Sequence, residues 1–232
     1  MKNNFIDLVK DLGIEINDSK LQALNKYYDF LIEYNNHTNL TGIVEESEVY
    51  LKHFYDSLTI SKIIDLNKVS TVLDIGSGAG FPGIVLKIFF PHIKLTVLDS
   101  NNKKTKFLTE LCNKLDLDVE VINQRAEEFA KDNLNKFDLV TSRAVAFMDI
   151  IIELSIPFAS VNKNVVLMKG SLENEINILE KHYKELNIKS YLIKDVSYND
   201  NIRNLVLLTK DKESNKVMNY SQILKRNKKW QQ

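Results

Sequence analysis

The sequence predicts an α/β protein: a doubly wound, seven-stranded, mostly parallel sheet with an antiparallel terminal strand, preceded by an N-terminal helical region. Three observations carry that prediction. The hydrophobic period changes once, near residue 70, from helical spacing to short apolar runs that alternate with amphipathic stretches. The last two of seven such runs have no long helix between them, which marks an antiparallel pair at one edge. Four of the chain's seven glycines fall between Gly76 and Gly83, directly after an apolar run that carries an acid near its end.

In chain order, Leu21, Leu24, Tyr28, Leu31 and Ile32 recur at helical spacing behind an N-cap at Asp18 or Ser19, and a second helix is expected from about Ser47 to Ile64. Strands follow near 71–75, 94–99, 118–122, 137–141 and 164–169, then near 189–196 and 203–209, with a helix Asn102–Leu115 after the second. Three segments result: a helical region 1–69, a sheet domain 70–210 and a basic tail 211–232. Neither an internal repeat nor a low-complexity linker is visible.

At 232 residues the chain can bury one sizeable core plus an appendage, and its 44% hydrophobic and 27% charged composition is that of a globular protein. One cysteine, Cys112, excludes an intramolecular disulfide and points to a reducing compartment. With no signal peptide and no 18-residue apolar span, a cytoplasmic protein with no membrane partner is expected. The zero net charge conceals segregation: residues 1–69 hold 7 Lys and Arg against 11 Asp and Glu, a net of −4, while residues 210–232 hold 7 against 2, a net of +5. The tail run Lys225-Arg226-Asn227-Lys228-Lys229-Trp230, with an aromatic ring to stack, suits a phosphate backbone; a frayed, solvated terminus is the competing reading.

The glycine run Val72-Leu73-Asp74-Ile75-Gly76-Ser77-Gly78-Ala79-Gly80-Phe81-Pro82-Gly83 admits two ligands. Gly78 to Gly83 satisfies the dinucleotide fingerprint G-x-G-x-x-G, with Asp99 about 20 residues on as the ribose acceptor. The register favours another reading. The strand Thr71–Ile75 runs straight into Gly76, so the tight turn starts at Gly76-x-Gly78 and Asp74 stands at the strand's carboxyl end, facing the crevice. Together with Leu95-Thr96-Val97-Leu98-Asp99, this pattern resembles the Rossmann-like class I S-adenosylmethionine-dependent methyltransferases. The resemblance implies that the loop lies beside the methionine and ribose part of S-adenosylmethionine and that Asp99 accepts both ribose hydroxyls. Asp74, Gly76, Gly78 and Asp99 are the cofactor residues on this reading.

Basic residues recur at the strand ends, where open α/β sheets bind ligands. Arg125-Ala126-Glu127 follows the third strand, Ser142-Arg143-Ala144 the fourth and Lys169-Gly170 the fifth, and Arg203 opens the seventh. A single basic residue there is usually solvated. Three successive crossovers presenting Arg, Arg and Lys to one rim point to an anionic substrate held by charge-assisted hydrogen bonds.

A narrower resemblance spans residues 20 to 210. Asn39-Leu40-Thr41-Gly42-Ile43, His53-Phe54-Tyr55-Asp56-Ser57-Leu58, the loop with Phe81-Pro82-Gly83, Leu98-Asp99-Ser100 with Lys103 or Lys104 and Phe107-Leu108, Arg125-Ala126-Glu127-Glu128-Phe129, Ser142-Arg143-Ala144 and Lys169-Gly170 occur in the order and spacing of the glucose-inhibited division protein B family. That resemblance implies a bacterial methyltransferase acting on N7 of a guanine in 16S ribosomal RNA, with Gly76, Phe81, Ala126, Glu127 and Arg143 as cofactor contacts. Lys52 stands where the family often has Arg, Tyr34-Asn35 where it often has Trp-Asn, and the tail lacks the Pro and Gly pattern of many relatives.

The residue inventory agrees with that acceptor. Methylating carbon 5 of a pyrimidine needs a cysteine nucleophile, and Cys112 sits inside a predicted helix. Methylating an exocyclic amine typically uses an Asn/Asp-Pro-Pro-aromatic turn after the fourth strand, where this chain reads Thr141-Ser142-Arg143-Ala144. Guanine N7 carries an in-plane lone pair and no proton, so attack on a sulfonium methyl requires alignment and no general base. The product is cationic, so a basic side chain is useful against O6 or a phosphate and not over the ring. Arg143 and Lys169 are therefore expected to orient substrate, and Arg125, Lys169, Arg203, Lys225 and Arg226 to bind RNA, with no metal. His53 and Asp56 form an acid/base pair or pin the helical region against the glycine loop. The expected partner is 16S ribosomal RNA or the small subunit, met by a monomer at an unpaired guanine. The alternatives are a small-molecule or protein methyltransferase on the same fold, and a dinucleotide-dependent oxidoreductase or cofactor sensor.

Overall fold

The computed structural model describes residues 2–173, 175–199 and 201–230. The chain divides into two compact units, 1–123 and 124–232.

The first unit opens with α1 (Lys2–Asp11), which the sequence reading did not assign. Phe5 and Val9, four residues apart, are its buried contacts, and Gly13 at φ +72° ends it by donating to the Lys10 carbonyl. In α2 (Asp18–Asn35) the cap is Asn17 and not Asp18 or Ser19: its side chain accepts from the Lys20 amide at 3.0 Å. The buried tyrosine of this helix is Tyr27, not Tyr28. The helix expected over 47–64 is a run of α3 (Glu46–Val49), a π-helical segment Tyr50–Tyr55, α4 (Asp56–Leu58) and a 3₁₀ turn Thr59–Lys62. Then come β1 (Thr71–Ile75), α5 (Gly83–Phe89), β2 (Lys94–Leu98), α6 (Asn102–Leu115) and β3 (Val119–Ile122). These strands are parallel in the order β3-β2-β1, with Ile75 opposite Leu98 and Leu98 opposite Ile122, so their carboxyl ends lie level. Val72–Ile75 and Leu95–Leu98 are buried throughout, as expected of parallel strands covered on both faces.

The second unit holds α7 (Ala126–Asn133), β4 (Phe137–Arg143), α8 (Met148–Ser155), β5 (Ala159–Lys169), α9 (Ile176–His182), β6 (Ile188–Asp195), β7 (Asn204–Lys210) and α10 (Tyr220–Trp230). Strand β5 starts five residues earlier than expected, with a bulge opposite Phe137 and Leu139 absorbing the extra length. Strands β4 and β5 are parallel, and β7 runs antiparallel between β5 and β6, giving the order β4-β5-β7-β6. The predicted seven strands and antiparallel terminal strand are both present, with β7 inserted and β6 at the edge.

The basic tail does not fray over its described part. Asn219 and Gln222 cap the start of α10 reciprocally, each side chain accepting from the other's amide at 3.0 Å. Ile223 is fully buried, Asn227 donates to Asp149 Oδ2 at 2.5 Å, and Arg226 pairs with Glu153, which fastens α10 to α8. The side chains of Lys228, Lys229 and Trp230, with the stacking expected of the last, lie outside the described residues. No described helix is long and apolar enough to cross a membrane, and no three described His, Cys, Asp or Glu cluster to hold a metal.

Candidate cofactor site and substrate rim

In the first unit the glycine loop leaves β1 at Gly76, whose amide donates to the Leu98 carbonyl at 2.7 Å. Gly76 and Gly78 have φ of +66° and +61°, a region that disfavours residues with a Cβ. The other two glycines answer to internal packing. A Cβ on Gly80, at φ +95°, would lie 2.5 Å from the Tyr27 hydroxyl and 2.8 Å from Ile84 Cγ1; one on Gly83 would lie 2.8 Å from Asp74 Oδ2. Asp74, expected to face the crevice, is completely buried: its Oδ2 accepts from Ser77 Oγ at 2.5 Å and from the Gly83 amide at 3.0 Å. It acts as an internal clasp across the loop, which corrects its reading as a crevice-facing contact.

Asp99 follows β2, and its two oxygens divide their work. Oδ2 accepts from the Gly78 amide at 3.0 Å and Oδ1 from the Asn101 amide at 2.8 Å. A carboxylate has about four lone-pair sites, so two remain for vicinal hydroxyls of a ribose. Beside it, a Cβ on Gly78 would meet nothing closer than the Gly76 carbonyl at 3.8 Å, so the loop borders open space there. That combination fits S-adenosylmethionine. A cleft of about 370 Å³ between residues 35–39 and Asn101, Lys103 and Lys104 opens nearby. A larger cavity of about 640 Å³ includes Leu66, Phe90 and His92, before β1 and β2, and contains none of the expected cofactor residues.

Helix α2 and the π segment brace the loop from behind. The Tyr27 hydroxyl donates to the Ala79 carbonyl, and its ring stacks on Phe81 at 5.3 Å. His53 lies over Phe81 at 4.5 Å. Its Nδ1 is 3.0 Å from the Lys52 carbonyl, which can only accept, so Nδ1 carries a proton, and Nε2 is paired with Thr41 Oγ1 at 2.9 Å, accepting from it when the ring is neutral. Thr41 Oγ1 in turn accepts from the Ile43 amide, and Asn35 Oδ1 accepts from the amides of Leu40 and Thr41. Asn35, the 39–43 motif, His53 and Phe81 thus form one connected support. His53 pins the helical region, and its basic nitrogen is engaged. Phe81 is 4% exposed in this aromatic cluster. Sequence reasoning missed Tyr27 and Ser77. The first carries only a helix-stripe signal; the second lay inside the quoted motif.

In the second unit Arg125 is exposed at the N-cap of α7, Ala126 is buried and Glu127 half-buried. Arg143, at the end of β4, is half-buried. Register places Arg143 opposite Met168 and Lys169 opposite Asn204, so Arg143, Lys169 and Arg203 lie at three neighbouring strand ends. Lys169 is committed inward: Nζ donates to the Ala146 carbonyl at 2.8 Å and to Glu175 Oε2 at 2.6 Å. Its geometry is that of a loop fastener and not of a phosphate ligand. Arg226 is likewise held by Glu153, while Lys225 is exposed. Cys112 is buried in α6, where burial pushes its thiol up to about 11.

Residues 20–206 match the family model GidB, rRNA small subunit methyltransferase G. The chain belongs to this family. The GidB match is accompanied by similarity to "Ribosomal RNA small subunit methyltransferase G" of Listeria monocytogenes serotype 4b strain CLIP80459, 38% identical over 216 residues, covering 90% of this chain and 91% of that protein. The protein of the same name from Exiguobacterium sibiricum is 44% identical over 173 residues, 73% of each chain. Among solved structures, an S-adenosylmethionine-dependent O-methyltransferase from Thermotoga maritima superposes with a TM-score of 0.56 at 15% identity, covering 80% of this chain and 73% of that one. This last likeness speaks for the fold alone. Membership of the GidB family bears out the resemblance read from the motifs, and with it a methyltransferase that uses S-adenosylmethionine.

Proposed function

We propose that the chain transfers the methyl group of S-adenosylmethionine to N7 of a guanine in 16S ribosomal RNA, acting in the cytoplasm as a monomer on the RNA or the small subunit. The observation that carries this reading is the family match across residues 20–206. The cofactor supplies a methyl group on a cationic sulfur, open to in-line attack. The chain's residues then have positioning tasks. Asp99 offers its remaining lone pairs to the ribose hydroxyls, Gly76 and Gly78 let the backbone come close, and Asp74 with Tyr27 holds the loop in shape. Phe81, Ala126, Glu127 and Arg143 remain the further cofactor contacts on this proposal, with Arg143 also orienting substrate.

No proton need leave guanine N7, and the chain is consistent with that chemistry: His53 Nε2 is occupied by Thr41, and Cys112 is buried with a raised pKa. RNA binding falls to Arg125, Arg203 and Lys225, with Lys169 and Arg226 acting through the loop and helix they fasten. A 1–69, 70–210 and 211–232 division of labour, with support, catalysis and RNA contact in that order, belongs to the same proposal.

Calorimetry with S-adenosylmethionine and with NAD, followed by labelled methyl transfer to unmodified ribosomal RNA, to protein and to small-molecule acceptors, tests it. Binding of S-adenosylmethionine alone and label in RNA is the expected result. Label only in protein or a small molecule would move the chain to the alternative acceptors.

A further inference from the structure

We propose that Phe147 is a stacking platform for an unpaired base of the RNA substrate; this rests on the ribosomal RNA reading above. Phe147 is 69% exposed and Val145 41%, in the short loop between β4 and α8. The next residues of the same segment show the contrast, since Met148 is fully buried and Ile151 is 2% exposed. An aromatic ring left in water forgoes the gain of burial, and the fastening of this loop is what keeps it there.

The backbone carrying this ring is fastened on both sides. The carbonyl before it, of Ala146, accepts from Lys169 Nζ at 2.8 Å, and the amide after it, of Met148, donates to Glu175 Oε2 at 2.5 Å. Lys169 and Glu175 are joined to each other at 2.6 Å, with side chains only 10% and 17% exposed. The Phe147 carbonyl also accepts from the Ile150 and Ile151 amides at 3.0 Å, beginning α8. A mobile loop could fold its phenyl ring away. This one holds the ring outward on a fixed base, which lowers the ordering cost of stacking.

The surroundings select the occupant. Arg143 immediately precedes the loop, and the β5–β7 register, with Asn204 Nδ2 donating to the Gly170 carbonyl at 2.7 Å, brings Arg203 and the 58% exposed Ile202 to the neighbouring strand ends. A flat exposed ring with arginines at the neighbouring strand ends matches single-stranded nucleic acid, whose bases stack while its phosphates pair. The Lys169–Glu175 pair is neutral as a unit and does not oppose an approaching polyanion.

The test compares the 232-residue protein with Phe147→Ala, Phe147→Leu and Phe147→Trp. The probe is a fluorescein-labelled, unstructured oligoribonucleotide of about 12 nucleotides and its abasic counterpart, read by anisotropy. Stacking of one base contributes about 1–3 kcal/mol, a factor of roughly 5 to 150 in affinity. Phe147→Ala and Phe147→Leu should both weaken binding by about tenfold, Phe147→Trp should bind at least as tightly as Phe147, and the abasic probe should abolish the differences. Melting temperature and S-adenosylmethionine affinity should stay unchanged. Equal binding by Phe147→Ala, or full retention by Phe147→Leu, would overturn the proposal. Labelled methyl transfer to unmodified 16S ribosomal RNA separates the two levels. No transfer by the unsubstituted protein defeats the functional reading while the binding series still reports on the ring. Transfer with an unchanged KM in Phe147→Ala defeats the platform alone.

Discussion

Replacing Gly80 by alanine sets the glycine loop against the helix behind it. The new Cβ would stand 2.5 Å from the Tyr27 hydroxyl, 2.8 Å from Ile84 Cγ1 and 3.2 Å from Leu108 Cδ2, on a backbone at φ +95°. The backbone penalty is about 1–2 kcal/mol and overpacking adds about 1–3 kcal/mol, so Gly80→Ala should cost roughly 2–5 kcal/mol. Tyr27→Phe alone gives up one buried hydrogen bond to the Ala79 carbonyl, about 1–3 kcal/mol including the stranded acceptor. In the double variant the hydroxyl that crowds the new methyl is gone, while the Ile84 contact and the φ strain persist. The two costs should therefore add to less than their sum, with a coupling of about 1 kcal/mol. Urea unfolding followed by circular dichroism measures all four proteins, and calorimetry follows S-adenosylmethionine affinity in parallel. A Gly80→Ala cost below about 0.5 kcal/mol, or strict additivity with Tyr27→Phe, would refute the assignment of this glycine to internal packing.

Cys112, buried and with its thiol raised to about 11, should resist iodoacetamide at pH 8 in the native protein and react in urea, as intact-mass spectrometry would show. Lys210 is fully buried, with Nζ donating to Asn135 Oδ1 at 2.5 Å, the Pro157 carbonyl at 3.0 Å and the Ala159 carbonyl at 2.7 Å. Lys210→Met should cost about 2–5 kcal/mol by stranding those acceptors. Burial lowers the Lys210 pKa to about 8 from 10.5, so between those values the unfolded chain binds the proton more strongly than the folded one. The stability of the unsubstituted protein should rise relative to Lys210→Met from pH 8 toward 10.5, which urea titrations at the two ends would record. Lys169→Met leaves the half-buried Glu175 carboxylate with the Met148 amide still donating to it and should cost about 1–3 kcal/mol. At a temperature where the variant stays folded, its KM for ribosomal RNA should rise while S-adenosylmethionine affinity holds.

Strand positions were legible because burial on both faces writes near-continuous apolar runs, as in Val72–Ile75 and Leu95–Leu98. The α2 cap was misplaced because Asn17, Asp18 and Ser19 are all chemically competent; the extended backbone of Asn17, φ −131° and ψ 174°, decides it. Helix α1 has only the Phe5–Val9 pair and Gly13 as local signals, and its stability comes from tertiary burial. In the site, the position of the loop and of Asp99 could be read from the chain. The division of the four glycines could not, because the neighbours that exclude a side chain at Gly80 include Tyr27, far away in sequence. Basic residues were visible as charges and not as partners. Lys169 and Arg226 look alike in sequence to Lys225, yet Glu175 and Glu153 engage the first two. Phe147 escaped notice for the opposite reason, since pattern alone counts a phenylalanine beside Met148 as core.

Nucleoside analysis by mass spectrometry tests the central claim most directly. Unmodified small-subunit particles and naked 16S ribosomal RNA are each incubated with the protein and isotopically labelled S-adenosylmethionine, then digested and the labelled nucleoside identified. The expected product is 7-methylguanosine at a single guanine of the RNA. Label in any other nucleoside, or none in RNA while the cofactor binds, would contradict transfer to guanine N7.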